Sequence, residues 1–226
     1  MAVVAQSPEV VNTVPGRTLT ESDWLSARIA EMGRSWGTTE PRVSGTLWWC
    51  MVASALVEQL ACAYANDEPA PEPYLDRLDC AVRPDGGIER VHIHPEGHGL
   101  DAAPGESDAA LGNACAKALR ETLAAVIGPV AAVSGASVPS LWAIAADAIG
   151  NRALDVGSPE AGARLATEVG GRLPVPRFVD VDGRTFVRRI SCCLVFEVPG
   201  CEMCTSCPKR PAAERTKLLA RLAAES

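Results

Sequence analysis

The chain has 226 residues, 47% of them apolar, few aromatics and a formal net charge of −7. That length supports one substantial core, or a core with a small appendage. The composition is globular rather than disordered, and the acidic balance argues against a nucleic-acid binder. The charge is uneven, however. Residues 172–226 carry ten Lys or Arg against six Asp or Glu, net +4, which leaves −11 for the remainder.

Met1–Arg17 reads as a flexible tail with neither the basic start nor the long apolar stretch of a secretory signal. Thr20 with Asp23 resembles a weak capping box, and Trp24, Ile29 and Met32 follow at helical intervals before Gly33 and Gly37. Pro41–Gly45 reads as a break. An apolar helix then runs from Trp48 to about Tyr64. The stretch Thr46–Ala65 approaches the length of a membrane span, but Ser54, Glu58 and Gln59 make it a poor one, so it is expected to be a buried core helix. After the Pro-rich loop Asn66–Pro73, Leu75–Val82 and Ile88–His94 read as strands joined by the turn Arg83–Gly87.

Ser107–Ile127 reads as a long helix ended by Gly128–Pro129. A third runs from Val138 or Pro139 to Ile149, closed by Gly150–Asn151, and a fourth from Ser158 to Gly170–Gly171. Arg177–Val181 and Thr185–Val198 alternate around Asp182–Gly183, a hairpin signal. A last helix spans about Ala212 to Ala224. The expected class is α+β, mainly helical with a few antiparallel strands and a C-terminal cysteine-rich hairpin. The expected organisation is a tail (1–17), a mainly helical substrate domain (18–171), and a segment of strands, cysteines and a final helix (172–226).

Ser191–Cys207 holds five of the nine cysteines. Cys192, Cys193, Cys204 and Cys207 form the pattern C-C-x10-C-x2-C, with Cys201 an extra thiol in the spacer. Four thiolates can hold Zn2+ or an iron–sulfur cluster. In a reducing cytoplasm, the expected location, clustered cysteines more often bind metal than form disulfides. Structural zinc sites usually use two C-x2-4-C units. Adjacent residues of an extended chain point to opposite faces, so Cys192 and Cys193 chelate one small ion only through a kink, whereas diverging thiolates reach a larger two-iron cluster more easily. If the chain folds back at Pro199–Gly200, outward pairing sets Cys192 opposite Cys207 and Cys204 opposite Val195.

The run R-R-I-S-C-C-L-V-F-E-V-P-G-C-E-M-C-T-S-C-P at Arg188–Pro208 resembles the C-terminal segment of the FhuF-type ferric-siderophore reductases. R-V-S-G-T-L-W-W at Arg42–Trp49 and S-G-A-S-V-P-S-L-W at Ser134–Trp142 resemble actinobacterial members of that family. The resemblance implies a [2Fe-2S] cluster held by Cys192, Cys193, Cys204 and Cys207, with no separate catalytic residue. It implies single-electron reduction of a ferric siderophore, with Fe2+ released in the cytoplasm. The partners would be the ferric siderophore and an external electron donor protein or reductant, with no nucleic acid and at most peripheral membrane association. Arg188, Arg189, Lys209 and Arg210 flank the cysteines and are expected to tune the cluster or dock substrate. Other readings of the same cysteines are a cluster-bearing redox sensor or a structural zinc protein.

His92, His94 and His98, with Glu96 nearby, form a weaker candidate metal site, read foremost as a strand end and loop. Trp48, Trp49 and Trp142 are expected in the core rather than in a ligand pocket. Cys50, Cys62, Cys80 and Cys115 are scattered, and no G-x-G-x-x-G or Walker-type loop signals a nucleotide.

Overall fold

The computed structural model describes residues 10–94 and 108–225. Its organising element is helix α2 (Pro41–Ala65), most of whose residues are buried. A helix apolar on all sides must be enclosed by other elements, and α1 (Ser22–Trp36), α3 (Asp108–Ser134), α4 (Val138–Asp155) and α5 (Pro159–Val169) all pack against it. By length and composition α2 could cross a membrane, but 67% of its most apolar window is buried inside the protein. Trp48 and Trp49 are fully buried, and their indole N–H groups donate to Gly86 O and Leu141 O, both at 2.8 Å. Trp48, Trp49 and Trp142 are all core residues.

Two helix boundaries differ from the sequence reading, each for its own reason. Pro41 begins α2 instead of breaking the chain, because proline at the first helical position loses only an N–H that would be unpaired anyway. Gly45 is needed inside that helix: a Cβ there would lie 2.3 Å from Ser134 Cβ at the end of α3. Helix α3 in turn runs through Pro129 to Ser134 rather than stopping at Gly128. An interior proline costs about 3 kcal/mol. Val126, Ile127 and Val130 are each buried around it, at about 1.5–3 kcal/mol apiece, so packing outweighs the break.

Strand β1 (Asn12–Pro15) pairs antiparallel with β2 (Leu78–Val82), which pairs with β3 (Ile88–Ile93). The expected tail is therefore structured from residue 12. Pro15 is tolerated because β1 lies at the sheet edge, where a missing donor breaks no inner ladder. Glu21, not Thr20, precedes α1, and the Thr20 hydroxyl instead donates to Arg17 O. Leu78, Cys80 and Val82 turn inward toward the helices, so one face of this sheet joins the core.

Helix α4 continues past Gly150 to Asp155. A Cβ on Gly150 would come within 3.0 Å of Pro176 Cβ and 3.2 Å of Val187 Cγ2, so this glycine marks where the second hairpin docks rather than a helix stop. That hairpin is β4 (Phe178–Val181) and β5 (Arg184–Val187). β5 ends at Val187 and not at Val198. Beyond it lie only a short 3-10 turn at Val195–Glu197 and the final helix α6 (Ala212–Ala224). The class is α+β as expected. The core is continuous into the cysteine segment through Leu194 and Val198.

Candidate metal centre

The chain leaving β5 is captured by a carboxylate. Asp147, on the face of α4 one turn before Gly150, is 2% exposed. Its Oδ1 accepts the backbone N–H of Ile190 at 2.8 Å, and its Oδ2 accepts that of Ser191 at 3.1 Å. Those donors would otherwise extend a strand ladder, which explains why β5 stops. Burial raises the Asp147 pKa, opposed by the two backbone N–H groups and by Arg189. Arg189 Nε lies 3.7 Å from Asp147 Oδ2, and the Arg189 side chain is 15% exposed.

The cysteines then diverge. Cys192 Sγ lies 3.6 Å from Cys207 Sγ and accepts the N–H of Leu194 at 3.4 Å. Leu194 makes this possible with a left-handed backbone, φ 64°, uncommon for a branched residue. Cys193 turns the other way, toward Cys204. Arg189 Nη1 donates to Cys204 Sγ at 3.6 Å. Cys193 is pushed down to about 5 by the hydrogen bond from Cys204, helped by the Val195 N–H and Arg189 against burial, while Cys204 is raised by the same contact. Burial pushes Cys192 up to about 11, against the Leu194 N–H. Arg189 is held protonated, because the surrounding sulfurs outweigh its desolvation.

The C-x2-C arm is a tight knuckle. Cys207 N donates to Cys204 O and Arg210 N to Cys207 O, both at 3.1 Å. Arg210 also reaches Cys204 O, Met203 O and Glu214, and Arg215 reaches Cys207 O at 3.3 Å. Of the four flanking basic residues, then, only Arg189 faces sulfur. Arg210 holds carbonyls. Lys209 sits 4.8 Å over the Phe196 ring and 3.9 Å from Glu197, and Arg188 points to solvent.

The four sulfurs thus form two pairs, each with one member of the Cys-Cys dipeptide and one of the C-x2-C unit. Among the described residues no three His, Cys, Asp or Glu side chains converge on one ion position. Two thiolate pairs can supply two ligands to each iron of a [2Fe-2S] cluster. The donor set and its arrangement fit [2Fe-2S]. The fold-back reading anticipated Cys192 opposite Cys207 but set Cys204 against Val195, whereas Cys204 meets Cys193. No sulfur contact joins Cys201 to the four among the described residues.

Two neighbours of the centre were missed in the sequence. Asp147 is the one charge in the apolar run Leu141–Gly150, and that isolation was its signal. Cys50 is brought by α2 close enough to feel Cys192, Cys193, Arg189 and Asp147, and burial pushes it up to about 12. Nothing in its local sequence marked it. The histidine candidate gains no support. His94 Nε2 pairs with Asp79 Oδ2 at 2.7 Å and packs edge-on against His92, while Glu96 and His98 lie outside the described residues.

Residues 189–209 match the family model of the FhuF 2Fe-2S C-terminal domain. A search of curated proteins returns no match. Residues 189–209 are thus similar to a FhuF-type [2Fe-2S] domain, and the protein binds a [2Fe-2S] cluster. The stretches Arg42–Trp49 and Ser134–Trp142 lie outside the matched segment.

Proposed function

We propose that this protein is a cytoplasmic ferric-siderophore reductase of the FhuF type, with Cys192, Cys193, Cys204 and Cys207 as the cluster ligands. The observation that carries the reading is the pairing of those four sulfurs inside the segment matched to the family. Bound there, a [2Fe-2S] cluster supplies single-electron transfer. The two upstream stretches that resemble actinobacterial members also support it. They pack on each other through Gly45 against Ser134 and Trp49 against Leu141, and Arg42 reaches forward to pair with Glu197 at 2.5 Å.

A groove of about 530 Å³ adjoins the centre. Asn151, Asp155, Arg184, Thr185 and Phe186 line it, and it reaches Ser206, between two of the cysteines. Its size and polar walls suit a ferric chelate. The Fe3+ of the docked chelate gains one electron and becomes Fe2+, and an external reductant supplies that electron in each turnover. Hard oxygen donors hold the less charged Fe2+ more weakly, so iron leaves. Nothing in the chain is required to move a proton. The partners are the ferric siderophore and the donor; any membrane contact is peripheral.

The test is direct. Protein purified anaerobically is analysed for iron and sulfide, reduced with dithionite, freed of excess reductant and mixed with a ferric hydroxamate. The reading requires about two irons and two sulfides per chain and rapid reoxidation with Fe2+ appearing. Stoichiometric zinc without sulfide, or a cluster that the chelate fails to reoxidise, would remove it.

A further inference from the structure

We propose that Arg189, clamped by the buried Asp147, is a positioning residue that raises the reduction potential of the cluster by aiming a fixed cation at the Cys193–Cys204 sulfur pair. The inference rests on the four-thiolate ligand assignment above and goes beyond it. That assignment says what holds the cluster; this says what sets how readily it accepts an electron.

The argument is geometric. Arg189 Nη1 lies 3.6 Å from Cys204 Sγ, and its guanidinium interacts with Cys193 as well. A free arginine next to a loop would sweep through many rotamers. Asp147 restricts this one in two ways, through an ion pair with its side chain and through the backbone just beyond it. It faces the guanidinium with Oδ2 at 3.7 Å, and it accepts the N–H groups of Ile190 and Ser191, the two residues that follow Arg189. One carboxylate on a core helix therefore fixes both the side chain and the backbone from which it springs.

The surroundings make the cation effective. At 15% exposure Arg189 is shielded from most of the solvent. Charges interact more strongly in that setting than on an open surface. A [2Fe-2S] centre with four thiolates becomes more negative by one charge on reduction, with one Fe3+ becoming Fe2+ and no proton required. A nearby fixed cation stabilises the reduced form more than the oxidised form, so the potential rises. The asymmetry adds to the case. The Cys192–Cys207 pair receives the Leu194 N–H, while Lys209 and Arg210 are occupied by Phe196, Glu197, Glu214 and carbonyl oxygens. Arg189 is the cation aimed at sulfur.

The experiment is an anaerobic titration of the cluster-loaded full chain against a graded potential, poised with dithionite and mediators and followed by electron paramagnetic resonance. Arg189→Gln keeps a polar side chain and removes the charge. At the wild-type midpoint its reduced-to-oxidised ratio is expected to fall at least tenfold, a downward shift of about 59 mV or more for a one-electron couple. Arg189→Lys retains a charge and is expected to recover at least half of that shift. An Arg189→Gln protein with full iron and sulfide content and an unchanged midpoint overturns the proposal while leaving the ligand assignment intact. If Arg189→Gln fails to assemble the cluster, Arg189→Met, neutral and unbranched, decides: its midpoint is expected to fall by about 59 mV or more, and a wild-type midpoint in that cluster-loaded variant overturns the proposal. A wild-type chain without iron and sulfide removes both readings at once.

Discussion

Asp147 Oδ1 accepts the Ile190 backbone N–H at 2.8 Å across 43 residues of sequence, and this bond helps tie the cysteine segment to the helical core. The same carboxylate accepts from Ser191 and faces Arg189. Truncating it leaves two backbone donors and a buried guanidinium without their partner. Asp147→Ala is expected to lower stability by about 3–5 kcal/mol, the range for breaking a buried ion pair from one side. Asp147→Asn, which keeps an acceptor, is expected to cost about 1–3 kcal/mol. Denaturant unfolding of the two variants checks the order, and equal losses would show that the carboxylate acts by shape alone.

The ligand assignment separates two cysteines three residues apart. Cys204→Ser is expected to abolish normal cluster loading, because Cys204 is one half of the sulfur pair with Cys193. Cys201→Ser is expected to keep iron and sulfide near the wild-type content, since Cys201 makes no contact with the four sulfurs among the described residues. Iron and sulfide analysis of both, purified in parallel without oxygen, reads the difference. Cluster loss in Cys201→Ser alone would reverse the assignment.

A pH profile should single out Cys193. Its pKa is pushed down to about 5, whereas burial pushes Cys50, Cys80 and Cys115 up to about 12. The thiolate is the nucleophile. In protein stripped of metal and kept reduced, alkylation of Cys193 by iodoacetamide is expected to hold steady from pH 8 down to about 6 and to halve near pH 5. Cys50, Cys80 and Cys115 stay unreacted throughout that range. Peptide mass spectrometry after timed quenching gives each rate. A Cys193 rate that rises tenfold per pH unit up to pH 9 would mean an ordinary thiol.

The groove beside Ser206 should govern the chelate and not the cluster. Asn151 lines it from α4 and is solvent-exposed, so a large ring there fills space without entering the core. Asn151→Trp is expected to raise KM for a ferric hydroxamate about tenfold, the scale of a lost binding contribution of about 1.4 kcal/mol. The visible spectrum and midpoint potential should stay at wild-type values. An unchanged KM would place the chelate elsewhere.

The sequence by itself determined the type of chemistry and the ends of most elements. Four cysteines in C-C-x10-C-x2-C name a soft-metal centre whatever the fold around them, because the ligand atoms are intrinsic to the side chains and their spacing is local. Helix α6 and both hairpin turns were equally legible, since capping and turn chemistry act within a few residues. Tertiary structure decided the rest. Whether Pro129 interrupts a helix depended on how much apolar surface α3 buries around it. Whether Gly150 ends a helix depended on Val187 and Pro176 pressing against it. Which cysteine meets which was set by the left-handed turn at Leu194, and which arginine faces sulfur was set by Asp147. These are contacts between residues far apart in the chain, and local propensity carries no record of them.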